Sequence, residues 1–208
     1  CLNYDGKFGL NNMNQYFQNA NKKSDAYTWA EWSFKIGDKI IFLDTRRSSL
    51  LYNNLKGIIE NIEKTETSIK FTINVKTYLS EEQCKDESFE YIDNTNDGTR
   101  IRLEVIAWDD DLSDDDRIKT VIPFQIAYAI SIHKAQGLEF KSVKVIIPSS
   151  NAERITHSVF YTAITRAKEN LKIYWSPETM DAVVKSFTEQ KTEYRTLQLI
   201  KQKLNLLI

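Results

Sequence analysis

The spacing of apolar positions changes several times along the chain, and each change predicts a different kind of element. Residues 9–20 place Leu10, Met13 and Phe17 at helical spacing, so a helix is expected there, and the polar stretch from Asn19 to Asp25 reads as a loop. Trp29 and Trp32 flank a short aromatic stretch expected to pack. From Phe34 the texture becomes that of strands. Lys39–Leu43 is a short apolar run behind the turn signal Gly37-Asp38. Leu55–Ile62 carries Gly57, Ile58, Ile59 and Ile62. Ile69, Phe71, Ile73 and Val75 then alternate with other residues, and so do Ile101, Leu103 and Val105, the signature of half-buried strands. Short strands at this spacing predict a small antiparallel barrel over about Phe34 to Thr120.

Two polar stretches interrupt that barrel. Ser80–Gly98 is polar and acidic, with turn residues at Asn94, Asn96, Asp97 and Gly98. Asp109–Asp116 holds six aspartates in eight residues. A calcium loop needs a central glycine and a distal glutamate, and neither is present, so a solvated hairpin tip is expected. After Pro123 the pattern becomes more continuously apolar. Ile126–Ile132 suits a strand buried on both faces, Val143–Ile147 a second, and Leu171–Trp175 a third. Pro148–Glu153 reads as a loop, and Thr156–Lys168 reads as a helix through Val159, Phe160, Ala163, Ile164 and Ala167. Strand, loop, strand, helix and strand predict an α/β sheet. From Pro177 the tail reads as helical, with one apolar stripe at Met180, Val183, Val184 and Phe187 and another at Tyr194, Leu197, Ile200 and Leu204.

Composition narrows the picture. The 208 residues suffice for one medium domain or two small ones, and 41% hydrophobic with 27% charged residues is ordinary for a globular protein. A formal net charge of −1 excludes a global basic field, so any nucleic-acid contact must be local. Cys1 and Cys84 lack histidine companions at ligand spacing, which argues against a zinc site or a disulfide framework and for a reducing cytoplasm. No apolar run approaches the ~20 residues that span a bilayer, and no signal-peptide pattern opens the chain. A cytoplasmic protein without a membrane partner is expected, and the first residue, a cysteine, points to an excised fragment.

Two segments rise above this background: Ala127-Tyr-Ala-Ile-Ser-Ile-His-Lys-Ala-Gln-Gly-Leu-Glu-Phe140 and Phe160-Tyr-Thr-Ala-Ile-Thr-Arg-Ala-Lys-Glu169. A polar turn after a buried strand suits ligand binding at the carboxyl end of a sheet. Gly137 admits close approach of a phosphate to the backbone, Glu139 can accept from a ribose hydroxyl, and Ser131, His133 and Gln136 can bond phosphate or sugar. The two segments resemble motifs V and VI of superfamily-one helicases of the UvrD/RecD-like kind. The resemblance covers about 45 residues closely. Phe34-Lys-Ile-Gly-Asp-Lys-Ile-Ile-Phe and Tyr52-Asn-Asn-Leu-Lys-Gly-Ile-Ile look like the opening of the SH3-like barrel inserted in the second motor domain of RecD-like helicases. The family's usual asparagine-glycine turn is Asn53-Asn54 here, which leaves the geometry of that hairpin open.

The resemblance implies a partial RecA-like parallel-sheet domain at 1–33 and 121–176, an SH3-like barrel at 34–120 and a helical tail at 177–208. It implies an ATP-dependent DNA helicase in the full-length protein. Arg166 would be the arginine finger, Gly137, Glu139 and Arg166 would contact nucleotide, and Ser131, His133, Lys134 and Gln136 would contact DNA. The phosphate loop, a glycine separated by four residues from Gly-Lys-Ser or Gly-Lys-Thr, is absent from these 208 residues; Asp5-Gly-Lys-Phe-Gly9 is the nearest string. ATP and Mg2+ would therefore be held mainly by an N-terminal motor domain outside the chain. The chain alone is expected to neither hydrolyse ATP nor unwind DNA. The implied partners are single-stranded DNA, that N-terminal domain, and nuclease or repair proteins. The competing expectations are a non-enzymatic nucleic-acid-binding module on the barrel, with Lys56, Lys70, Lys76 and Arg102 as its groove, and the motor subunit of a nuclease or antiphage system.

Overall fold

A computed structural model describes residue 4 and residues 6–43 and 46–187. These fall into two compact units, Met13–Ala129 and the described residues on either side of it. The second apolar stripe of the tail, Tyr194 to Leu204, lies outside the described residues.

Met13–Ala129 is dominated by one antiparallel sheet. Helix α1 (Leu10–Ala20) leads into it, followed by a small hairpin of β1 (Tyr27–Trp29) and β2 (Trp32–Phe34). Strands β3 (Lys39–Phe42), β4 (Lys56–Lys64), β5 (Ser68–Val75), β6 (Glu90–Thr95), β7 (Gly98–Ile106) and β8 (Phe124–Ile126) pair in the order β6-β7-β5-β4-β3-β8. Alternation sets the register. Ile69 faces Val105, Phe71 faces Leu103 and Ile73 faces Ile101, and all six are fully buried. Phe34, Phe42, Phe71 and Phe124 meet edge-on with centroids 5.1–5.8 Å apart, the geometry that adds roughly 0.5–1.5 kcal/mol per pair to area burial.

The antiparallel sheet expected for a small barrel forms, but no closed barrel is found among the described residues. The sheet is open, with β6 and β8 at its two ends and no ladder joining them among the described residues. The reason lies in β6, whose six residues are exposed or half-buried. Its two apolar residues, Tyr91 and Ile92, are neighbours in sequence, so they do not build up one alternating apolar face. Two polar stretches also hold more structure than their composition announced. The first contains β6, which forms a tight hairpin with β7, and a Cβ on Gly98 would stand 1.9 Å from the Val75 carbonyl oxygen. The second contains helix α2 (Asp114–Lys119) in place of a hairpin tip. The Ser113 side chain caps it by accepting from Asp116 N–H, and three aspartates in its first turn oppose the positive end of the helix dipole. The Asn53-Asn54 turn survives the missing glycine because Asn54 adopts φ +69°, a left-handed conformation that asparagine tolerates better than most residues.

The other unit holds β9 (Phe140–Ile146), helix α3 (His157–Ile164) and β10 (Ala167–Tyr174). Strands β9 and β10 pair in parallel, with Val143 opposite Leu171 and Val145 opposite Ile173. Residues 177–187 are helical, with Val183 fully buried and Phe187 packed, although Met180 and Val184 of the expected stripe are exposed. The core joins Ile132, Val145, Ile147, Ile155, Ala163 and Val183.

One expected strand of the parallel sheet is absent. Of Ile126–Ile132 only Ile126 lies in a strand, as the last residue of β8 (Phe124–Ile126), which runs antiparallel to β3 in the other sheet. The backbone beyond it is satisfied differently. Asn14 of α1 accepts from Ala129 N–H (2.7 Å) and donates to its carbonyl (3.0 Å), so a side-chain amide takes the place of a neighbouring strand. The helix expected to reach Lys168 also stops early, at Ile164, because Ala167 already pairs with Phe140.

Candidate functional site

The segment from Ser131 to Leu138 is a series of tight turns. Ala135 N–H donates to Ser131 O (3.0 Å), Gln136 N–H to His133 O (3.2 Å) and Leu138 N–H to Ala135 O (3.0 Å). Ser131, Ile132 and Ala135 are buried and anchor the loop, while His133, Gln136 and Gly137 face solvent. The Ser131 hydroxyl is spent partly on the loop itself, accepting from Lys134 N–H at 3.2 Å. The Lys134 ammonium lies 5.9 Å from the Tyr4 ring centroid.

Gly137 adopts φ +78°, and a Cβ built there would meet nothing within 4 Å. Its requirement in this structure is therefore conformational, not steric. Gly137→Ala should cost about 1–2 kcal/mol of local strain, visible as faster amide exchange across residues 135–138 with little change in the rest of the chain.

Arg166 follows α3 at the point where the chain turns into β10. Its Nε donates to Thr162 O (2.9 Å), its Nη1 to Leu138 O (3.1 Å) and its Nη2 to Thr165 Oγ1 (3.0 Å). Its own carbonyl accepts from Phe140 N–H at 2.9 Å. Side chain and backbone thus fasten the two sequence segments to each other. Beside them Lys168 Nζ sits 2.6 Å from Glu139 Oε2. The hydrogen bond and charge of Lys168, with a smaller contribution from Arg166, hold the Glu139 carboxyl below the usual carboxylate range. A depressed carboxylate contributes its stability above its unfolded value and loses it as pH falls through the folded one; both partners are over half exposed, so the contribution is small.

The structure therefore brings Leu138, Glu139 and Arg166 together, with Gly137 adjoining them in the chain. Among the described residues Arg166 makes no bond to Ser131, His133, Lys134 or Gln136. The site lies at the amino ends of β9 and β10, not at a carboxyl end as the strand pattern suggested, because the strand expected before Ser131 does not form. Lys168 and the carbonyls of Leu138 and Thr162 were missed by sequence reasoning. A signal for Lys168 existed: Glu139 precedes β9 and Lys168 follows the first residue of β10, so opposite charges flank the first paired residues.

The basic groove required by a binding module on the sheet is not free. Lys70 pairs with Glu104, Lys76 with Asp97, Arg100 with Glu60 and Asp93, and Arg102 with Glu90. Lys56 is half-buried, and burial pushes its amine below the usual lysine range.

Residues 126–174 match the family described as the UvrD-like helicase C-terminal domain. The chain is 24% identical over 182 residues to RecBCD enzyme subunit RecD of Buchnera aphidicola subsp. Schizaphis graminum, covering 86% of this chain and 24% of that protein. RecD of Mycolicibacterium smegmatis is 32% identical over 68 residues, 33% of this chain and 12% of that protein. Among solved structures, Bacteroides Pif1 bound to ssDNA aligns over 84% of this chain and 40% of its own, with 17% identity and a TM-score of 0.43. The chain thus spans about a quarter of the length of its Buchnera relative.

Proposed function

We propose that the chain, which matches the UvrD-like helicase C-terminal domain over residues 126–174, is the C-terminal region of a UvrD/RecD-like superfamily-one helicase and forms part of the second motor domain of an ATP-dependent DNA helicase or translocase. Residues 1–33 and 121–176 are then the motor-domain part, 34–120 an SH3-like insertion and 177–208 a helical tail. The meander of β3, β4 and β5 within an antiparallel sheet supports the insertion. Strands β9 and β10 are largely exposed along their length, whereas parallel sheets are normally covered on both faces. That exposure, with the limited share of the relatives' length, supports completion of the sheet by more of the full-length protein.

The observation that carries the reading is the fastening of Arg166. A guanidinium has five N–H donors, and three are engaged by Thr162, Leu138 and Thr165. Nη1 and Nη2 each keep one N–H that can be offered to the oxygens of a phosphate. We assign Arg166 to the charge that accumulates on the γ-phosphate of ATP during hydrolysis. Gly137 and Glu139 would contact the same nucleotide, and Ser131, His133, Lys134 and Gln136 the DNA backbone. As the resemblance implies, Mg2+ and most of the ATP would be held by the N-terminal motor domain.

Separation of function tests the assignment. In the full-length protein Gln136→Ala should raise the DNA concentration that half-activates hydrolysis and leave hydrolysis at saturating DNA near parental. Arg166→Ala should do the reverse, and the 208-residue chain alone should release no phosphate above background. Hydrolysis by the isolated chain, or a Gln136→Ala protein with parental DNA dependence, would remove the corresponding part of the reading.

A further inference from the structure

We propose that the open edge of β6 takes up an extended, basic segment of a protein partner as a further strand of the sheet, with a lysine or arginine of that segment held in the cleft beside Glu87. The surface uses no residue of the two segments on which the motor reading rests, and it stands or falls apart from that reading.

The edge supplies the backbone contacts. Among the described residues β6 pairs only with β7, so one side of Glu90–Thr95 presents unpaired main-chain groups. At about 3.3 Å per residue that edge is roughly 20 Å long. Such an edge is a template for another strand, whose main-chain bonds give affinity and whose alternate side chains give specificity. Tyr91 and Ile92 are half-buried and leave an added strand apolar surface to pack on.

Charge selects the strand. Residues 80–98 hold seven carboxylates and one lysine, in a chain whose net charge is only −1. Glu90 and Asp93 are tied to Arg102 and Arg100 of β7. Glu81, Glu82, Asp86 and Glu87, just ahead of the strand, form no ion pair among the described residues. A cleft of about 320 Å³ opens where β6 begins, with Lys70, Glu87, Phe89, Glu90, Arg102 and Glu104 in its walls. Lys70, Arg102 and Glu104 alternate with buried residues of β5 and β7, so the cleft lies on the outer face of the sheet. Its cations already have partners: Lys70 has Glu104 at 3.7 Å, Arg102 has Glu90 at 2.9 Å, and the remaining one, Lys119, has Asp116 at 2.8 Å. Glu87 is the wall carboxylate left over, and the Lys70–Glu104 contact is long. A guest cation therefore finds negative charge there without breaking a tight pair. Every second side chain of an added strand lies on that same outer face.

Two accounts compete with this one. A second copy of the chain would bring like charges together across the edge, which is destabilising. The other is that the acids, with the bulge between Tyr91 and Asp93, only keep every strand away.

Fluorescence anisotropy of the 208-residue chain with a labelled peptide of alternating lysine and valine, about eight residues long to span the edge, separates these accounts. That peptide should bind, more weakly as salt rises, and a peptide of alternating glutamate and valine should not. N-methylating the backbone of the lysine peptide keeps its charge but removes its N–H donors, and should weaken binding by about tenfold or more. Glu87→Lys should weaken it by about tenfold or more, because a like charge then stands where the guest cation sits. Glu87 is half-buried and forms no ion pair, so its replacement leaves the fold intact. In hydrogen exchange the outward amides of residues 90–95 should be fast in the chain alone and slow with the peptide bound. Equal binding of the two peptides, no binding of the lysine peptide at about 1 mM, indifference to N-methylation, parental affinity in Glu87→Lys, or unchanged exchange at 90–95 would each overturn the proposal. Slow exchange of those amides in the chain alone would mean an edge already occupied, by a second copy where sedimentation finds a dimer, and would overturn it as well.

Discussion

Arg166→Ala in the full-length protein should lower the turnover of DNA-stimulated ATP hydrolysis by about 10³–10⁵-fold while DNA binding persists. That range corresponds to about 4–7 kcal/mol of transition-state stabilisation. The structural work of the side chain is far smaller. Its three bonds go to two carbonyls and a hydroxyl, and Arg166 is half-buried, so water can replace much of what is lost. Three such bonds at about 0.5–1.5 kcal/mol each bound the fold's loss. A melting curve and a steady-state ATPase assay on the same variant therefore measure different quantities. Arg166→Lys sharpens the comparison: an ammonium keeps the charge but cannot hold Leu138 O, Thr162 O and two phosphate oxygens at once. It should recover little of the turnover. Turnover of the alanine variant within tenfold of the parent, or a loss matched by its loss of stability, would leave Arg166 as a fastener of two loops and nothing more.

Legibility in the sequence followed the strength of the local pattern. Strands β5 and β7 were readable because every second residue is apolar and one face is fully buried. Helix α1 was readable from its apolar spacing, but what it does was not. Its polar residues Asn14, Gln18 and Asn21 dock it, through partners up to 115 residues away. A side-chain amide that replaces a strand leaves no periodic trace. For the same reason the apolar run at Ile126–Ile132 does not form the strand its composition predicts: apolar composition cannot separate a buried strand from an irregular segment whose hydrogen bonds go to side chains. Helix α2 was hidden by composition, because aspartate is a weak helix former in general and a favourable one in a first turn.

The candidate site divides in the same way. The residue types at Gly137, Glu139 and Arg166 were legible as chemistry, and the left-handed φ of Gly137 agrees with a glycine being needed there. The fastening of Arg166 to Leu138 O was not legible, because a carbonyl carries no sequence identity. Nor was the placement at the amino ends of β9 and β10, since it depended on whether one preceding strand formed.

Asp38→Ala should produce the largest loss of stability among single substitutions in Met13–Ala129, about 3–5 kcal/mol. Asp38 is fully buried and accepts from Gln18 Nε2 (2.6 Å), Asn21 Nδ2 (3.2 Å), Lys35 N–H (2.8 Å) and Tyr128 Oη (2.9 Å). Removing the carboxylate leaves four donors facing a small cavity, and an unsatisfied buried donor costs about 1–3 kcal/mol. Partial relaxation and entry of water reduce the sum, which still removes a large share of the 5–15 kcal/mol typical of a domain. Asp38→Asn keeps one acceptor and turns the other toward donors, so it should fall between parent and alanine. Chemical denaturation of the 208-residue chain reads this as a lower midpoint at constant slope. The same cluster predicts an alkaline signature. Burial first, then the charge and hydrogen bond of Asp38, push the Tyr128 phenol above its ordinary value. A raised phenol contributes stability that is complete below the unfolded value of about 10 and is lost as pH climbs toward the folded one. The parent should therefore weaken above about pH 10, and Tyr128→Phe should be less stable at neutral pH yet flatter across that limb. A midpoint shift for Asp38→Ala below about 1 kcal/mol, or the same alkaline slope in Tyr128→Phe, would show that α1 is held by its apolar contacts and not by this carboxylate.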